Sequence, residues 1–214
     1  DNGGAVLGGL LAALALTAFD SNLQHVILLS ALPGVLCLAL LASVHDVPAR
    51  TREKPLPPLA WVVLSPGMRR YLAVLGLVTF GRVSDTFIVL YGHGLGAGVI
   101  ELLLLWSALN AVKSVGAYAG GILSDRIGRS AVMLVSWIAF GASYYLFCAT
   151  ETIVGLWLVT LGYGVFAGLG EGVERALIKE LGNAGEHGTA FGWYHLIVGV
   201  AAIPAGVLFG ALWQ

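Results

Sequence analysis

Three ionisable side chains stand where an apolar chain can carry them only at a cost. Arg82 and Asp85 fall within one apolar run, from about Tyr71 to Tyr91, and Lys113 falls within the next, from about Val99 to Leu123. A charge at the centre of a membrane helix costs roughly 2.5 to 3.5 kcal/mol on insertion scales, so such groups usually face one another or a water-filled path. At 1.5 Å per residue, Arg82 lies about 16 Å and Lys113 about 15 Å from the same end of their runs. The two cations therefore share a depth near the midplane. Asp85 stands one turn beyond Arg82 on nearly the same face, within reach of either cation. A local Arg82 to Asp85 pair would only orient helices, whereas a polar cavity for a solute or a proton would use all three groups; the second reading is the one the buried charges favour. Asn110, Glu171, Tyr194 and His195 complete the candidate set. Glu171 can pair with Arg175 four residues on, and a lone histidine at position 195 is more often a packing residue than a proton carrier.

The elements that must position these groups are set by composition. Charged residues make up 11% and hydrophobic residues 58%, against roughly 25% charged in an ordinary soluble domain. Mean hydropathy is +0.88. The solvent is lipid, and the fold class expected is an all-α membrane protein. Runs of about 20 apolar residues, enough to cross roughly 30 Å of hydrocarbon, occur seven times: about 3–19, 24–44, 71–91, 99–123, 131–149, 153–176 and 188–213. Asp20-Ser21-Asn22 breaks the first from the second, and Pro204 is expected to kink the last. Between the second and third spans lies a stretch rich in proline and charge, which cannot sit in lipid. It divides the chain into residues 1–46, a linker over 47–70, and residues 71–214, with the apolar stretch Leu59 to Leu64 suited to the membrane surface.

Nine of the eleven basic residues (Arg50, Arg52, Lys54, Arg69, Arg70, Arg126, Arg129, Arg175 and Lys179) fall in or beside alternate loops, and the other three loops carry none. The positive-inside rule then places the N-terminus in the cytoplasm and Gln214 outside. This is the wrong orientation for a seven-helix receptor, and the last span has no lysine for a retinal Schiff base. Net charge of -1 argues against a nucleic-acid partner, which needs a surplus of clustered cations. Cys37 and Cys148 lie in apolar runs and read as inert thiols. No nucleophile with a base, no metal-ligand cluster and no phosphate-binding glycine loop is present, so neither an enzyme, a metal site, a cofactor nor an ATP-driven pump is expected.

Glycine, at 30 of 214 residues, recurs at spacing four: Gly4 and Gly8, Gly116 and Gly120, Gly164 with Gly168 and Gly172, Gly188 and Gly192, Gly206 and Gly210. Small residues so spaced let helices pack closely or slide past one another, and spacing alone does not separate the two. Between the fourth and fifth spans stands Gly121-Ile122-Leu123-Ser124-Asp125-Arg126-Ile127-Gly128-Arg129, read as a tight interfacial turn with two glycines and three charges. This Gly-x-Leu-x-Asp-Arg-x-Gly-Arg pattern resembles the cytoplasmic loop signature of the major facilitator superfamily. The passage from Glu174-Arg175-Ala176-Leu177 to Gly188-Thr189-Ala190-Phe191-Gly192 is similar to the same family's second half.

The resemblance covers nearly the whole chain and implies part of a twelve-helix bundle, its fifth to eleventh helices. It implies a secondary active transporter of a small solute, driven by a proton or another coupling ion through alternating access, in the cell (inner) membrane with several passes. By the same resemblance Gly121, Asp125, Arg126, Gly128, Arg129 and Glu174 form a cytoplasmic gate. Asp125 would dock near the N-terminal end of the first span, and Arg126 or Arg129 would pair with Glu174. Gly4-x-x-x-Gly8-Gly9 lacks the proline of the family's antiporter signature, and His187 stands where the family often has arginine. The competing expectation is a non-transporting seven-helix sensor or interaction scaffold.

Overall fold

A computed structural model of the chain describes residues 2–19, 23–44, 60–82, 84–182 and 187–213. The break Asp20-Ser21-Asn22, residues 47–59 of the linker and Gln214 lie outside the described residues. Among the described residues every regular element is helical: α1 Asn2–Ala18, α2 Leu23–Ala42, a 3-10 turn Trp61–Val63, α3 Pro66–Phe80, α4 Thr86–Gly94, α5 Val99–Ile127, α6 Arg129–Cys148, α7 Ile153–Leu181 and α8 His187–Leu212. Among the described residues, five helices are long and apolar enough to cross a bilayer: 24–42, 99–127, 129–148, 153–181 and 187–212. The 17 residues of α1 fall just short.

The third expected span is not one helix. Where the sequence predicts a continuous run from Tyr71 to Tyr91, α3 ends at Phe80 and α4 begins at Thr86, and of the residues between them Gly81, Arg82, Ser84 and Asp85 are described and belong to neither helix. The local residues explain it. Gly81 caps α3, and Ser84, Asp85 and Thr86 are types whose short polar side chains compete with the helical ladder. The Ser84 hydroxyl bonds the Thr86 hydroxyl at 3.1 Å and accepts from the Thr86 amide at 3.4 Å. At its other end α3 starts earlier than expected, because Ser65 caps it and Pro66 occupies its first turn. The Ser65 hydroxyl accepts from the Met68 amide at 3.1 Å and donates to the Leu181 carbonyl at 3.0 Å, so the start of α3 is tied to the end of α7. Leu64 is buried there with Met68, Leu72 and Ile178.

The expected nine-residue turn is also different. α5 stays helical through Ile127 and α6 begins at Arg129, so Gly128 alone makes the connection. Its φ of 90° lies in the region that costs other residues Cβ strain.

Helices α5 and α7 run parallel and in close contact, and the spacing-four glycines lie on their shared faces. A Cβ added to Gly116 would stand 2.6 Å from the Val165 carbonyl oxygen, and one on Gly120 would stand 2.7 Å from that of Leu169. From the other side, a Cβ on Gly172 would meet the Ala117 carbonyl oxygen at 2.8 Å, and Gly168 abuts the backbone of Lys113 more closely still. Backbones this close require bare glycine faces. At Gly4, Gly8, Gly188, Gly206 and Gly210 an added Cβ would meet nothing within 4 Å, so the same spacing has no packing role there among the described residues.

Candidate functional site

The site grows from the break between α3 and α4. Losing the helical register there separates Arg82 from Asp85, and the local pair allowed by their spacing does not form. Arg82 turns to α7, where its Nη1 donates to Glu174 Oε1 at 2.9 Å. Asp85 turns to α5, where Lys113 Nζ donates to its Oδ2, and to α7, where the Tyr163 hydroxyl donates to its Oδ1 at 2.6 Å. Asp85 is also the residue from which α4 starts, and the positive end of a helix favours a carboxylate. Its side chain makes no capping bond, because both oxygens are engaged elsewhere.

Lys113 lies fourteen residues from each end of α5, at the centre of the longest helices in the structure. Its side chain is 8% exposed and has a second carboxylate in reach, Glu171 Oε1 at 3.5 Å. Glu171 accepts from Asn2 Nδ2 of α1 at 3.2 Å, which brings a fourth helix to the cluster. Glu174, 4% exposed, accepts from Arg82 and from the Tyr194 hydroxyl of α8 at 3.2 Å, while the Tyr71 hydroxyl of α3 donates to its carbonyl at 3.4 Å. Aromatic rings cover both cations: the Arg82 guanidinium carbon lies 5.5 Å from the Phe140 ring centre and Lys113 Nζ lies 5.7 Å from that of Tyr163. Two cations and three carboxylates are thus joined across α1, α5, α7, α8 and the broken helix.

Of the expected site residues, Arg82, Asp85, Lys113, Glu171 and Tyr194 come together. Asn110 does not join them: its amide donates to the Trp106 carbonyl of its own helix at 2.8 Å. His195 is exposed and touches the site through an edge-on contact with Tyr194, ring centres 4.9 Å apart. Glu174, expected at the cytoplasmic gate, belongs here, because it is buried about 10 Å inward of the end of α7. Arg129 pairs at that end, with Glu180 at 2.8 Å and the Ala176 carbonyl at 3.0 Å, so the expected pairing of Glu174 with Arg126 or Arg129 is corrected. Tyr163 was missed. A tyrosine in an apolar helix carries no spacing signal, and only the fold shows what its hydroxyl meets.

Asp125 is exposed, beside Gly128, Arg129, Lys179 and Glu180. The first residues of α1 do not reach it. Asn2 sits at Glu171, and the neighbouring Gly172 packs on Ala117, about 12 Å along α5 from Asp125. Arg126 and Gly121 are likewise exposed on the last turns of α5.

Residues 1–206 match the Major Facilitator Superfamily. Among curated proteins, an uncharacterized MFS-type transporter of Methanocaldococcus jannaschii is 24% identical over 223 residues, covering 100% of this chain and 55% of the relative. An uncharacterized protein of Mycobacterium tuberculosis is 25% identical over 229 residues, covering 100% of this chain and 54% of its own length. An uncharacterized MFS-type transporter of Bacillus subtilis is 25% identical over 162 residues, covering 73% and 36% respectively. The chain spans about half the length of the first two. No solved structure matches it.

Burial sets the energetic test of the site. Removing one partner of a buried ion pair costs about 3 to 5 kcal/mol, whereas replacing both with apolar groups of similar size is often neutral. Arg82→Met or Glu174→Leu alone is expected to lower the unfolding temperature of the purified protein sharply, and the double variant to recover most of that loss. Equal and additive losses would show that the pair does not form.

Proposed function

Because the chain belongs to the Major Facilitator Superfamily, we propose that it is the part of a proton-linked secondary active transporter that carries the coupling residues for a small solute. The assignment to a multi-pass, lipid-embedded transport family rather than to an enzyme follows from membership. What supports the finer reading is a single observation: the charged cluster is built around a break in a helix that would otherwise cross the membrane. Transporters place substrate and ion sites near the midplane, where discontinuous helices free backbone groups and helix ends.

On this reading residues 1–46 close one bundle, 47–70 link it to the next, and 71–214 form most of the second. The seven spans are completed by α1 and by α3 and α4 taken together. The contact between α1 and α5 is then where the two bundles meet, and alternating access is a rocking of that contact. The N-terminus lies in the cytoplasm, as the basic residues of alternate loops require, and the membrane is the cell (inner) membrane.

Asp85 is the coupling group. Lys113 of α5 and Tyr163 of α7 bond it, and Tyr144 of α6 and Tyr91 of α4 line the same cavity, while Glu171 of α7 stands on the far side of Lys113 and Arg82 is held away on Glu174. A proton on Asp85 cancels the charge that holds Lys113, and Glu171 stands ready to take that ammonium. The break then loses its tie to α5, which is the local event that a rocking motion needs. In the other state Lys113 returns and the proton leaves.

Two measurements test this. In proteoliposomes holding the full-length protein, Asp85→Asn is expected to abolish solute flux driven by a pH gradient while insertion stays intact; unchanged flux would remove Asp85 from coupling. A cysteine at position 52, Arg52→Cys, is expected to react with a membrane-impermeant thiol reagent only after cells are opened. Labelling of intact cells from outside would reverse the orientation.

A further inference from the structure

Asp85 has a second surroundings besides its ion pair. With Ser84 it forms one wall of a half-open cavity of about 270 Å³ between α4, α6 and the end of α8. Most of the other lining is aromatic, Phe87 and Tyr91 of α4, Tyr144 and Phe147 of α6, and Trp213 just past α8, with Ile88, Cys148 and Leu212 between the rings. The rings also fix one another. Phe87 and Trp213 lie 5.9 Å apart between centres, and Tyr91 meets Trp213 edge-on at 6.0 Å. One carboxylate at the side of an aromatic box is the arrangement that holds an ammonium group, because ring faces and carboxylate both attract positive charge.

We propose that this cavity binds a monovalent organic cation, an amine or quaternary ammonium carrying one ring, whose charge replaces Lys113 on Asp85. Building on the transport reading above, it names the class of solute for that site. The charge balance carries it. An anion would meet Asp85 directly, and a neutral molecule brings no charge to take the place of Lys113 on that half-buried carboxylate. A cation can, because Lys113 has Glu171 at 3.5 Å to accept it once Asp85 is taken. A divalent metal ion is the wrong ligand: the lining is mostly aromatic, and no group of three or more ligating side chains exists among the described residues. The volume is about nine times the ~30 Å³ that a water occupies in the liquid, room for a single ring with a short aminoalkyl arm.

The test is binding rather than flux, so that it stands apart from transport. Full-length protein in nanodiscs is titrated with benzyltrimethylammonium and with 3-phenylpropanoate, an anion of similar size, by calorimetry. Saturable binding of the cation, at least tenfold tighter than the anion, is expected. Asp85→Asn is expected to weaken it at least tenfold, and Phe87→Leu, which keeps apolar volume but removes the ring, about fivefold. Glu171→Gln should also weaken it, through Lys113 held on Asp85, although Glu171 does not line the cavity. Equal binding of cation and anion, no saturable binding, or a cation affinity unmoved by both Asp85→Asn and Phe87→Leu would overturn the assignment. Binding that obeys these expectations in a protein showing no proton-driven flux would leave the site standing and remove the transport reading alone.

Discussion

A charge surrounded by hydrocarbon has to be met by another charge, and here each is met on a different helix. Arg82 and Asp85 are three residues apart, yet one is held by α7 and the other by α5. Pairs of this kind are ties between elements rather than ornaments on one. The segment between α3 and α4 is positioned from both sides, by a guanidinium reaching one way and a carboxylate reaching the other. Helix order, break and cluster follow from that requirement together. If the break closed into regular helix, Arg82 and Asp85 would return to one face and at least one distant partner would be left buried and uncompensated.

The ties depend in turn on how closely α5 and α7 approach. Gly116 and Gly120 on one and Gly168 and Gly172 on the other bring backbone against backbone, and Gly164 makes room for the Leu109 and Val112 side chains. Lys113 rests against Gly168, and Glu171 is the next turn's polar residue on the same helix. That is why Lys113 can reach Glu171 as well as Asp85. Close packing and charge pairing are one construction. Beyond the cluster, each half of the helix group has its own apolar core: Leu105, Leu109, Phe140 and Tyr163 on one side, and Met68, Leu72, Ile178 and Tyr194 on the other. The hydroxyls of Tyr163 and Tyr194 project from those cores to the two carboxylates that the cations hold.

Much of this was legible in the sequence because lipid imposes few solutions. Length and apolarity located the helices to within a few residues, and depth counted from the loops placed Arg82 and Lys113 together. The loop pattern indicated the family that residues 1–206 then matched. The helix break was not read, since hydropathy averages over Gly81 to Thr86, although Gly81 and the short polar run Ser84-Asp85-Thr86 three residues on are a local signal that could have revealed it. Partner choice was not legible at all. Glu174 was drawn toward the basic loop by proximity in sequence, whereas its neighbour in space is 92 residues away. Spacing-four glycines were read alike at every site, but those on α5 and α7 face another backbone whereas Gly4, Gly8, Gly188, Gly206 and Gly210 face none among the described residues. A one-dimensional pattern records what a helix face permits and not what stands opposite it.

The tie between the broken helix and α5 is tested most directly by a double-mutant cycle on Asp85 and Lys113. Asp85→Asn, Lys113→Met and the double variant would be compared in reversible unfolding of the full-length protein in mixed micelles. Residues in direct contact couple by about 0.5 to 3 kcal/mol, and a buried ion pair belongs in the upper half of that range. A coupling above about 1.5 kcal/mol is the result this account predicts. Losses that simply add, to within about 0.5 kcal/mol, would contradict it.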